Sequence, residues 1–219
     1  MGRFKDELKW IMERDPACRS LAEAYLFNAG FHAISSYRRA HRAYLKGRFF
    51  RARIISQLSR FWTGVEIHPG ATIGDFLFID HGCGIVIGET SEIGDHCMLY
   101  QGVTLGGTGK DIGKRHPTLG HGVLVGAGAK VLGPVTIGDG AKVAAGAVVL
   151  TDIPAHATAV GVPARVARIG GVRVEDDKSA LDHASITDPV SQELCRMEGL
   201  ISQLSARVKE LESEQGDER

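Results

Sequence analysis

The sequence predicts an α+β chain: a helical N-terminal region, then a parallel β-helix, then a C-terminal helix with a heptad pattern. Three observations support this architecture. Helical patterns that end at proline or glycine come first, an aliphatic residue then recurs every six positions, and apolar residues spaced alternately four and three apart come last. We place the helical region at 1–62, the β-helix at 63–169, a linker at 170–189 and the heptad helix at 190–214.

Four helical patterns occupy the N-terminal region, and proline or glycine marks most of their ends. Pro16 predicts that the first helix ends near Arg14, because proline and the residue before it disfavour helical backbone. Gly30 is expected to end the second helix, and Gly47 the third. The predicted helices span 3–14, 20–28, 31–46 and 51–60.

The six-residue period covers thirteen positions, each occupied by Ile, Leu or Val. They are Ile67, Ile73, Ile79, Ile87, Ile93, Leu99, Leu105, Leu119, Val125, Val131, Ile137, Val143 and Val149. This period fits neither an amphipathic helix nor a half-exposed strand. It is typical of a hexapeptide β-helix, in which three hexads form one triangular coil with the aliphatic side chains inside. A β-sandwich would need turns about 8–12 residues apart.

Two slips interrupt the period, and the longer one inserts residues 106–118, GGTGKDIGKRHPT, between two hexads. A packed coil has no room for such an insertion, so we expect it to protrude. It is rich in glycine and carries Lys114, Arg115 and His116. Long loops on a rigid scaffold often carry function. Residues 153–165 contain two prolines and break the period, so the chain is expected to leave the last coil there.

The C-terminal part combines a polar stretch with a regular apolar seam. Residues 170–188 are polar and acidic, as in a linker. Apolar residues then repeat at spacings of four and three, at Val190, Leu194, Met197, Ile201, Leu204, Val208 and Leu211. This narrow seam over about three heptads favours a coiled coil. A lone amphipathic helix docked on its own subunit is the alternative.

Composition favours no nucleic-acid or membrane partner. The 26 basic and 26 acidic residues balance, so no charge excess would attract nucleic acid or an acidic membrane surface. No apolar run approaches ~18 residues, the length of a membrane-spanning helix, and the charged N-terminus does not read as a signal peptide. The four scattered cysteines argue against a zinc ribbon or disulfide framework and predict a cytoplasmic location.

One pair of polar residues stands where the repeat prefers small ones. Asp80 follows Ile79 in a position that glycine often takes, and His81 comes next. Glu66 and His68 lie about one coil earlier, and we expect them to stack close to this pair. A carboxylate beside a histidine is the minimal general-base pair. A lone exposed histidine more often has no catalytic role, so these residues alone leave catalysis open.

Eight motifs lie within residues 13–168: RDPA (14–17), GFHAISSYR (30–38), EIHPGATIG (66–74), IDHGCGIVIGET (79–90), QGVTLGGTGK (101–110), KRHP (114–117), VGAGAKVLG (125–133) and GVPAR (161–165). VGAGAK and GVPAR occur in many hexapeptide acyltransferases. The combination with RDPA, GFHA, the DHG and GIVIGET segments and the TLGGTGK loop specifically resembles the serine acetyltransferase family, which makes O-acetylserine from L-serine and acetyl-CoA. The resemblance implies a left-handed coil, whereas physical arguments alone favour right-handed crossovers.

The resemblance implies a direct transfer without an acyl-enzyme, as the first step of cysteine biosynthesis. His81 would be the general base that removes the proton of the serine hydroxyl, and the oxygen would attack the thioester. Glu66 stands where better-known members of the family have Asp, a carboxylate that orients this histidine. The extra methylene of Glu66 is expected to change the geometry of the pair.

The resemblance also implies how serine is held. Asp15 and Asp80 would bind its ammonium group, while Arg115 and His116 would meet the carboxylate and the reacting end. A charge-assisted bond from arginine to a carboxylate suits that role. The alternatives are that Asp15 is an ordinary helix terminator and that Arg115 and His116 belong to an ordinary surface loop.

Acetyl-CoA in this family lies in a groove between the solenoids of two subunits, which implies a homotrimer. The pantetheine arm needs small residues along the coil backbone, and a backbone N–H in the groove would stabilise the oxyanion. The candidates are Gly107, Gly126, Ala127, Ala144, Ala145 and Gly146. Lys130, Lys142 and Arg165 are candidates for its phosphates, with solvated lysine as the alternative. No metal is expected.

Three departures from the family pattern affect the expected partners. The N-terminal helical region is short, which favours a trimer over a hexamer. The heptad segment is an addition to the common pattern. The sequence ends in Gly-Asp-Glu-Arg instead of the terminal Ile that docks into O-acetylserine sulfhydrylase, which argues against that complex. Feedback inhibition by cysteine is a family trait that the same ligands would serve.

Three rival functions fit parts of the sequence. A γ-type carbonic anhydrase shares the scaffold and binds its metal through three histidines, for which His81, His116 and His121 are superficially similar. Against it, His116 lies in the inserted loop. Another hexapeptide acyltransferase would act on a sugar or xenobiotic and would not need a pair such as Asp15 and Arg115. A non-catalytic trimeric scaffold would leave Asp80 and His81 unexplained.

Overall fold

The computed structural model describes residues 2–109, 113–173, 196–197 and 200–201. Its N-terminal region consists of four helices: α1 (Gly2–Arg14), α2 (Leu21–Phe27), α3 (Ala29–Leu45) and α4 (Phe49–Thr63). The predicted ends at Arg14 and before Gly47 are confirmed. The last helix is longer than the predicted 51–60, and it ends at Gly64 in a left-handed conformation with φ 70°.

The prediction that Gly30 ends the second helix is wrong, because Gly30 lies inside α3. The chain turns at Asn28, whose side-chain oxygen accepts a hydrogen bond from the N–H of Phe31 at 2.8 Å and caps α3. Gly30 serves a different purpose. A Cβ placed on it would lie 2.5 Å from the carbonyl oxygen of Ile79, so the absent side chain lets α3 approach the β-helix closely.

Sixteen short strands follow in the part of the chain that the structure describes. They are β1 (Glu66–Ile67), β2 (Thr72–Ile73), β3 (Phe78–Asp80), β4 (Val86–Ile87), β5 (Glu92–Ile93), β6 (Met98–Tyr100), β7 (Thr104–Gly106), β8 (Thr118–Leu119), β9 (Leu124–Val125), β10 (Lys130–Leu132), β11 (Thr136–Ile137), β12 (Lys142–Val143), β13 (Val148–Val149), β14 (Ala157–Val160), β15 (Arg165–Ile169) and β16 (Val172–Arg173).

The strands form three parallel sheets that wrap into a triangular solenoid. The first sheet has the order β1-β4-β7-β10-β13, the second β11-β8-β5-β2, and the third contains β14-β12-β9-β6-β3. The register places hexad residues on each other, as Ile67 on Ile87 and Leu105 on Val131. All thirteen hexad positions are buried except Ile73, which is partly buried. The predicted β-helix is confirmed.

The β-helix continues beyond the expected exit at residue 153. Ile153 bridges Ile137 in parallel, and β14 pairs in parallel with β12. Burial of Ile153, Ala157 and Ala159 extends the core into this last coil. Only β15 and β16 then run antiparallel. Val172–Arg173, expected to belong to the linker, therefore form a strand.

Three edges separate the three sheets, and two of them carry the candidate site. The His81 edge joins the third sheet to the first and contains residues 81–85, 101–103, 126–129 and 144–147. The loop edge joins the first sheet to the second and contains residues 88–91, 107–109 and 113–117.

The heptad seam predicted over 190–211 lies almost wholly outside the described residues. Of that seam, Met197 and Ile201 are in helical conformation and are 47% and 61% exposed. Among the residues with described structure, no helix combines the length and the apolar character that crossing a bilayer requires.

Candidate active site

His81 stands at the point where the third sheet turns into the first. It directly follows β3, and its side chain is 77% exposed. Its Nε2 lies 4.0 Å from Oδ1 of Asp80. The φ angle of His81 is 59°, as it also is at the corner residues Phe76 and His96. The left-handed backbone is therefore a property of the coil corner, and the exposed ring beside a carboxylate is the functional feature.

Glu66 has another partner in the structure. Its Oε2 lies 3.1 Å from Nη1 of Arg60, near the end of α4. Glu66 pairs with Val86 of β4 in the first sheet. His81 lies on the turn that directly precedes β4. His68 is a turn residue, because its Nδ1 accepts a hydrogen bond from the N–H of Gly70 at 3.0 Å. The orienting role of Glu66 therefore stays a prediction.

A ladder of glycines extends from His81 along the whole His81 edge. Gly84, Gly102, Gly128 and Gly146 have φ angles of 70–75°. The N–H of each donates to a carbonyl one coil earlier at 2.8–3.0 Å. Residues with side chains rarely adopt this backbone conformation, so each coil presents a bare peptide group at its glycine. Such a surface suits an extended, thin ligand lying along it.

Most of the predicted cofactor residues lie on this same edge. They are Gly126, Ala127, Ala144, Ala145 and Gly146. A Cβ on Gly126 would lie 2.6 Å from the nitrogen of Ala145, so successive coils are as close here as backbones allow. Lys142 and Arg165 are exposed at the start of β12 and β15, at the end of the solenoid away from His81.

Two predicted cofactor residues have different surroundings. Lys130 Nζ donates to the carbonyl of Gly102 at 2.5 Å and to Oγ1 of Thr104 at 3.1 Å, which ties it to its own solenoid. Gly107 lies on the loop edge instead of the His81 edge. A Cβ placed on it would lie 3.0 Å from Nε2 of His116.

The second half of the inserted loop packs against the solenoid, whereas the sequence predicted that the loop protrudes. His116 is only 9% exposed. Its ring lies against Gly88, where an added Cβ would be 1.9 Å from Cδ2 of the imidazole. Burial, and next the positive charge of Arg115, lowers the pKa of His116. This histidine is therefore held in the neutral form.

Arg115 is anchored by Glu89, Thr90 and Tyr44, for which the sequence predicted no role. Its guanidinium forms an ion pair with Glu89, and the hydroxyl of Tyr44 donates to the other oxygen of Glu89 at 3.1 Å. Thr90 contacts the backbone of Arg115 and His116. The GIVIGET motif contained Glu89 and Thr90, and it was the one available signal. Nothing in the sequence pattern indicated Tyr44.

Asp15 ends α1, and its Oδ1 accepts a hydrogen bond from the N–H of Ala17 at 2.9 Å. This is the contact of a helix terminator. The helix that presents Asp15 packs through Leu8 and Ile11 into a cluster with Phe78, and Phe78 begins the strand that ends at Asp80. Asp15 therefore follows a helix that lies on the third sheet, the sheet that carries Asp80.

Within one chain the predicted serine ligands divide between two edges. Asp80 and His81 lie at the His81 edge, and Arg115 and His116 lie at the loop edge. His121 follows β8 at the third edge, so the three histidines of the metalloenzyme alternative occupy three different corners of one chain. Among the residues that the structure describes, no three His, Cys, Asp or Glu side chains are grouped as a metal site would require.

Comparison with known proteins identifies the family. A model described as "Serine acetyltransferase, N-terminal" matches residues 2–36, and one described as "Bacterial transferase hexapeptide (six repeats)" matches residues 116–151. Serine acetyltransferase of Bacillus pumilus is 49% identical over 208 residues, covering 95% of this chain and 94% of that protein. Serine acetyltransferase of Bacillus subtilis is 50% identical over 207 residues, covering 94% of each.

Solved structures share the fold. Serine acetyltransferase of Neisseria gonorrhoeae has a TM-score of 0.74 and 45% identity, over 77% of this chain and 66% of that one. The soybean enzyme in complex with serine has a TM-score of 0.73 and 45% identity, over 75% and 68%. This chain spans about two thirds of the length of these solved chains. The predicted left-handed β-helix is confirmed, and the chain belongs to the serine acetyltransferase family.

Proposed function

We propose that this protein transfers the acetyl group of acetyl-CoA to the hydroxyl of L-serine, releasing O-acetyl-L-serine and CoA as the first step of cysteine biosynthesis. The His81 edge carries this proposal. It joins an exposed histidine, 4.0 Å from a carboxylate, to an edge that has a left-handed glycine in each coil and only glycine and alanine in its last two turns. Family membership supplies the acceptor, because curated relatives about half identical to this chain are serine acetyltransferases.

The proposed chemistry is a direct transfer. The imidazole of His81 takes the hydroxyl proton while the serine oxygen attacks the thioester carbonyl. The tetrahedral intermediate then expels the CoA thiolate, and the imidazolium of His81 protonates it. Asp80 stabilises the positive charge that the ring carries between these steps. A backbone N–H on the same edge would stabilise the oxyanion, at a position other than Gly84, Gly102, Gly128 and Gly146, whose N–H groups already donate within the solenoid.

We place acetyl-CoA along the His81 edge, with the thioester at His81 and the phosphates at the far end of the solenoid. Lys142 and Arg165 are exposed at that end and supply positive charge. Lys130 is excluded from this role, because its ammonium group is bonded to its own coil. Gly107 lies beside His116 on the loop edge, and its role toward acetyl-CoA stays a prediction that depends on a neighbouring chain.

The site is assembled from two chains. Serine carries its ammonium and carboxylate groups on one carbon, so their ligands must lie close together. Asp80 and Arg115 belong to different edges of the same solenoid, and Asp15 lies on the side of Asp80. A loop edge from a neighbouring chain, placed beside the His81 edge, brings both sets together. Three solenoids arranged in a ring satisfy this in every subunit, so we propose a homotrimer.

Cysteine is proposed as an inhibitor at the same place. Solved serine acetyltransferases include one in complex with serine and one in complex with cysteine, which are 45% identical to this chain over 75% and 73% of its length. The two amino acids share the ammonium and carboxylate groups and differ only in a hydroxyl or a thiol. Ligands suited to the zwitterion of serine therefore suit cysteine equally.

Release of free CoA from acetyl-CoA tests the proposed function. With purified full-length protein, we expect release that depends on L-serine and persists in EDTA. No release, together with zinc bound in stoichiometric amount, would instead support the metalloenzyme alternative. A protein that forms trimers but releases no CoA with serine would have another acceptor, such as a sugar or xenobiotic.

Substitution of Glu66 tests the predicted orientation of His81. We expect Glu66→Gln to lower kcat by about ten- to a hundredfold, the loss typical of a carboxylate that orients a metal-bound histidine, with a smaller rise in the KM for serine. Arg60→Gln is the control, because it removes the partner of Glu66 seen in the structure. An unchanged kcat in Glu66→Gln would show that Glu66 does not orient His81.

A further inference from the structure

The backbone of the Arg115–His116 dipeptide is held by one residue, Thr90. The hydroxyl of Thr90 accepts hydrogen bonds from the N–H of Arg115 at 3.0 Å and from the N–H of His116 at 3.1 Å. The carbonyl of Thr90 accepts from Nζ of Lys114 at 2.9 Å. Three consecutive residues of the loop are thus tied to a single position on the coil.

The same residue sets the tautomer of His116. The N–H of Thr90 donates to Nδ1 of His116 at 3.2 Å, and the hydroxyl of Thr90 lies 2.9 Å from the same nitrogen. An amide nitrogen can only donate, so Nδ1 must be unprotonated and the ring proton of neutral His116 is on Nε2. His116 is therefore equipped to donate a hydrogen bond and not to act as a base through Nδ1.

Glu89, the residue before Thr90, holds the side chain of Arg115, whereas Thr90 holds its backbone. Its carboxylate pairs with Nη2 of Arg115 and accepts a hydrogen bond from Tyr44 on α3. Nη1 of Arg115 donates weakly to the carbonyl of Gly113, at 3.4 Å. The guanidinium is therefore held at one side, and a planar fork with five N–H groups keeps further donors for a carboxylate.

The protonation states of this network agree with its hydrogen bonds. Arg115 is the main cause that lowers the pKa of Glu89, which remains a carboxylate. Burial, and next the hydrogen bond to Glu89, raises the pKa of Tyr44, which remains a donor. A flexible arginine that is already held loses less conformational freedom when it binds its ligand. The arrangement is thus preorganised for an anion.

We propose that Glu89 and Thr90 are positioning residues for substrate binding: Glu89 aims the guanidinium of Arg115 at the substrate carboxylate, and Thr90 presents His116 as an Nε2–H donor. This inference rests on the proposed role of Arg115 in binding the carboxylate of serine. Tyr44 extends the network to α3, so the N-terminal helices contribute to serine binding through Glu89.

The chain offers a matched control for Glu89. Glu92 pairs with Lys114 at 2.9 Å, so one loop carries two neighbouring ion pairs to the coil, of which only one includes Arg115. We expect Glu89→Gln to raise the KM for serine about five- to tenfold, with kcat and the KM for acetyl-CoA within about twofold. That range lies just below the loss of more than about tenfold that follows from removing a direct hydrogen bond to a charged group, because Glu89 would act through Arg115. Glu92→Gln should leave all three constants within about twofold.

L-Serinamide separates positioning from a general effect on the loop, because it lacks the carboxylate that Arg115 would bind. Measured as a substrate, or as an inhibitor competitive with serine, it should respond to Glu89→Gln by less than about twofold. Equal losses for serine and serinamide would show that Glu89 only supports the fold and would overturn the inference. An unchanged or lowered KM for serine in Glu89→Gln would overturn it as well.

Arg115→Lys distinguishes failure of this inference from failure of the proposed function. If Arg115→Lys raises the KM for serine and Glu89→Gln does not, Arg115 binds the carboxylate without help and only the inference is wrong. If neither variant changes the KM for serine while wild-type protein acetylates it, the assignment of Arg115 is wrong, and the positioning role is lost with it. Thermal unfolding of each variant tests whether the fold is retained.

Discussion

Replacing His81 with alanine is expected to lower kcat by at least about 10²-fold and by up to about 10⁴-fold, the usual contribution of a general base. The side chain is 77% exposed, so its removal leaves no cavity and stability should change little. Release of CoA in the presence of saturating serine and acetyl-CoA measures kcat, and light scattering measures the assembly. We expect the assembly to be unaffected.

Two further variants make this result interpretable. His81→Asn also removes the base, but asparagine tolerates the left-handed backbone, with φ 59°, better than alanine does. It should therefore be as inactive as His81→Ala, with less backbone strain. His121→Asn replaces another exposed histidine at a different edge and should keep full activity. Activity of His81→Asn within about tenfold of wild type would mean that another group removes the proton.

Replacing Gly88 with alanine is the second change with a large expected effect. The new Cβ would lie 1.9 Å from Cδ2 and 2.1 Å from Nε2 of His116, so the ring must leave its place against the coil. Displacement of a substrate-binding group by about 1 Å can cost about a hundredfold. We expect kcat/KM for serine to fall by about that factor, with the β-helix intact because a side chain, and not backbone, must move.

Gly109→Ala is the matched control on the same loop. A Cβ at Gly109 meets no atom within 4 Å, so this variant should have wild-type kcat/KM. Comparing the two variants separates displacement of His116 from a general stiffening of the loop. Wild-type kcat/KM in Gly88→Ala, with normal thermal unfolding, would show that His116 is not needed where the structure places it.

The periodic part of the fold was predictable, because each coil repeats the same local requirement. An aliphatic residue at every sixth position has to be buried, and stacking of identical coils is the arrangement that buries all of them. The prediction failed at the last coil, where the spacing slips to four residues between Val149 and Ile153. Ala159 then stacks on Val143 in place of a larger aliphatic residue, so a strict six-residue period of Ile, Leu and Val ends before this coil does.

Gly30 shows a second limit of local patterns. Glycine is a common stop signal for helices, yet Gly30 lies inside α3. Glycine is needed there because Ile79, forty-nine residues later, occupies the space that a side chain at position 30 would fill. The true boundary depends on Asn28, a capping residue whose side chain accepts a hydrogen bond from the N–H of Phe31. Whether a glycine marks a turn or a close contact is decided by its neighbours in space.

The candidate site divides in the same way. The repeat, the Asp80–His81 pair and the motifs of the family could be identified from the sequence alone, because each is a pattern of residues that are neighbours along the chain. Only the tertiary structure could show that Arg115 pairs with Glu89, 26 residues away, that Glu66 meets Arg60, and that Gly107 faces His116. Contacts between a loop and a coil depend on how the chain returns in space, and no local period encodes that return.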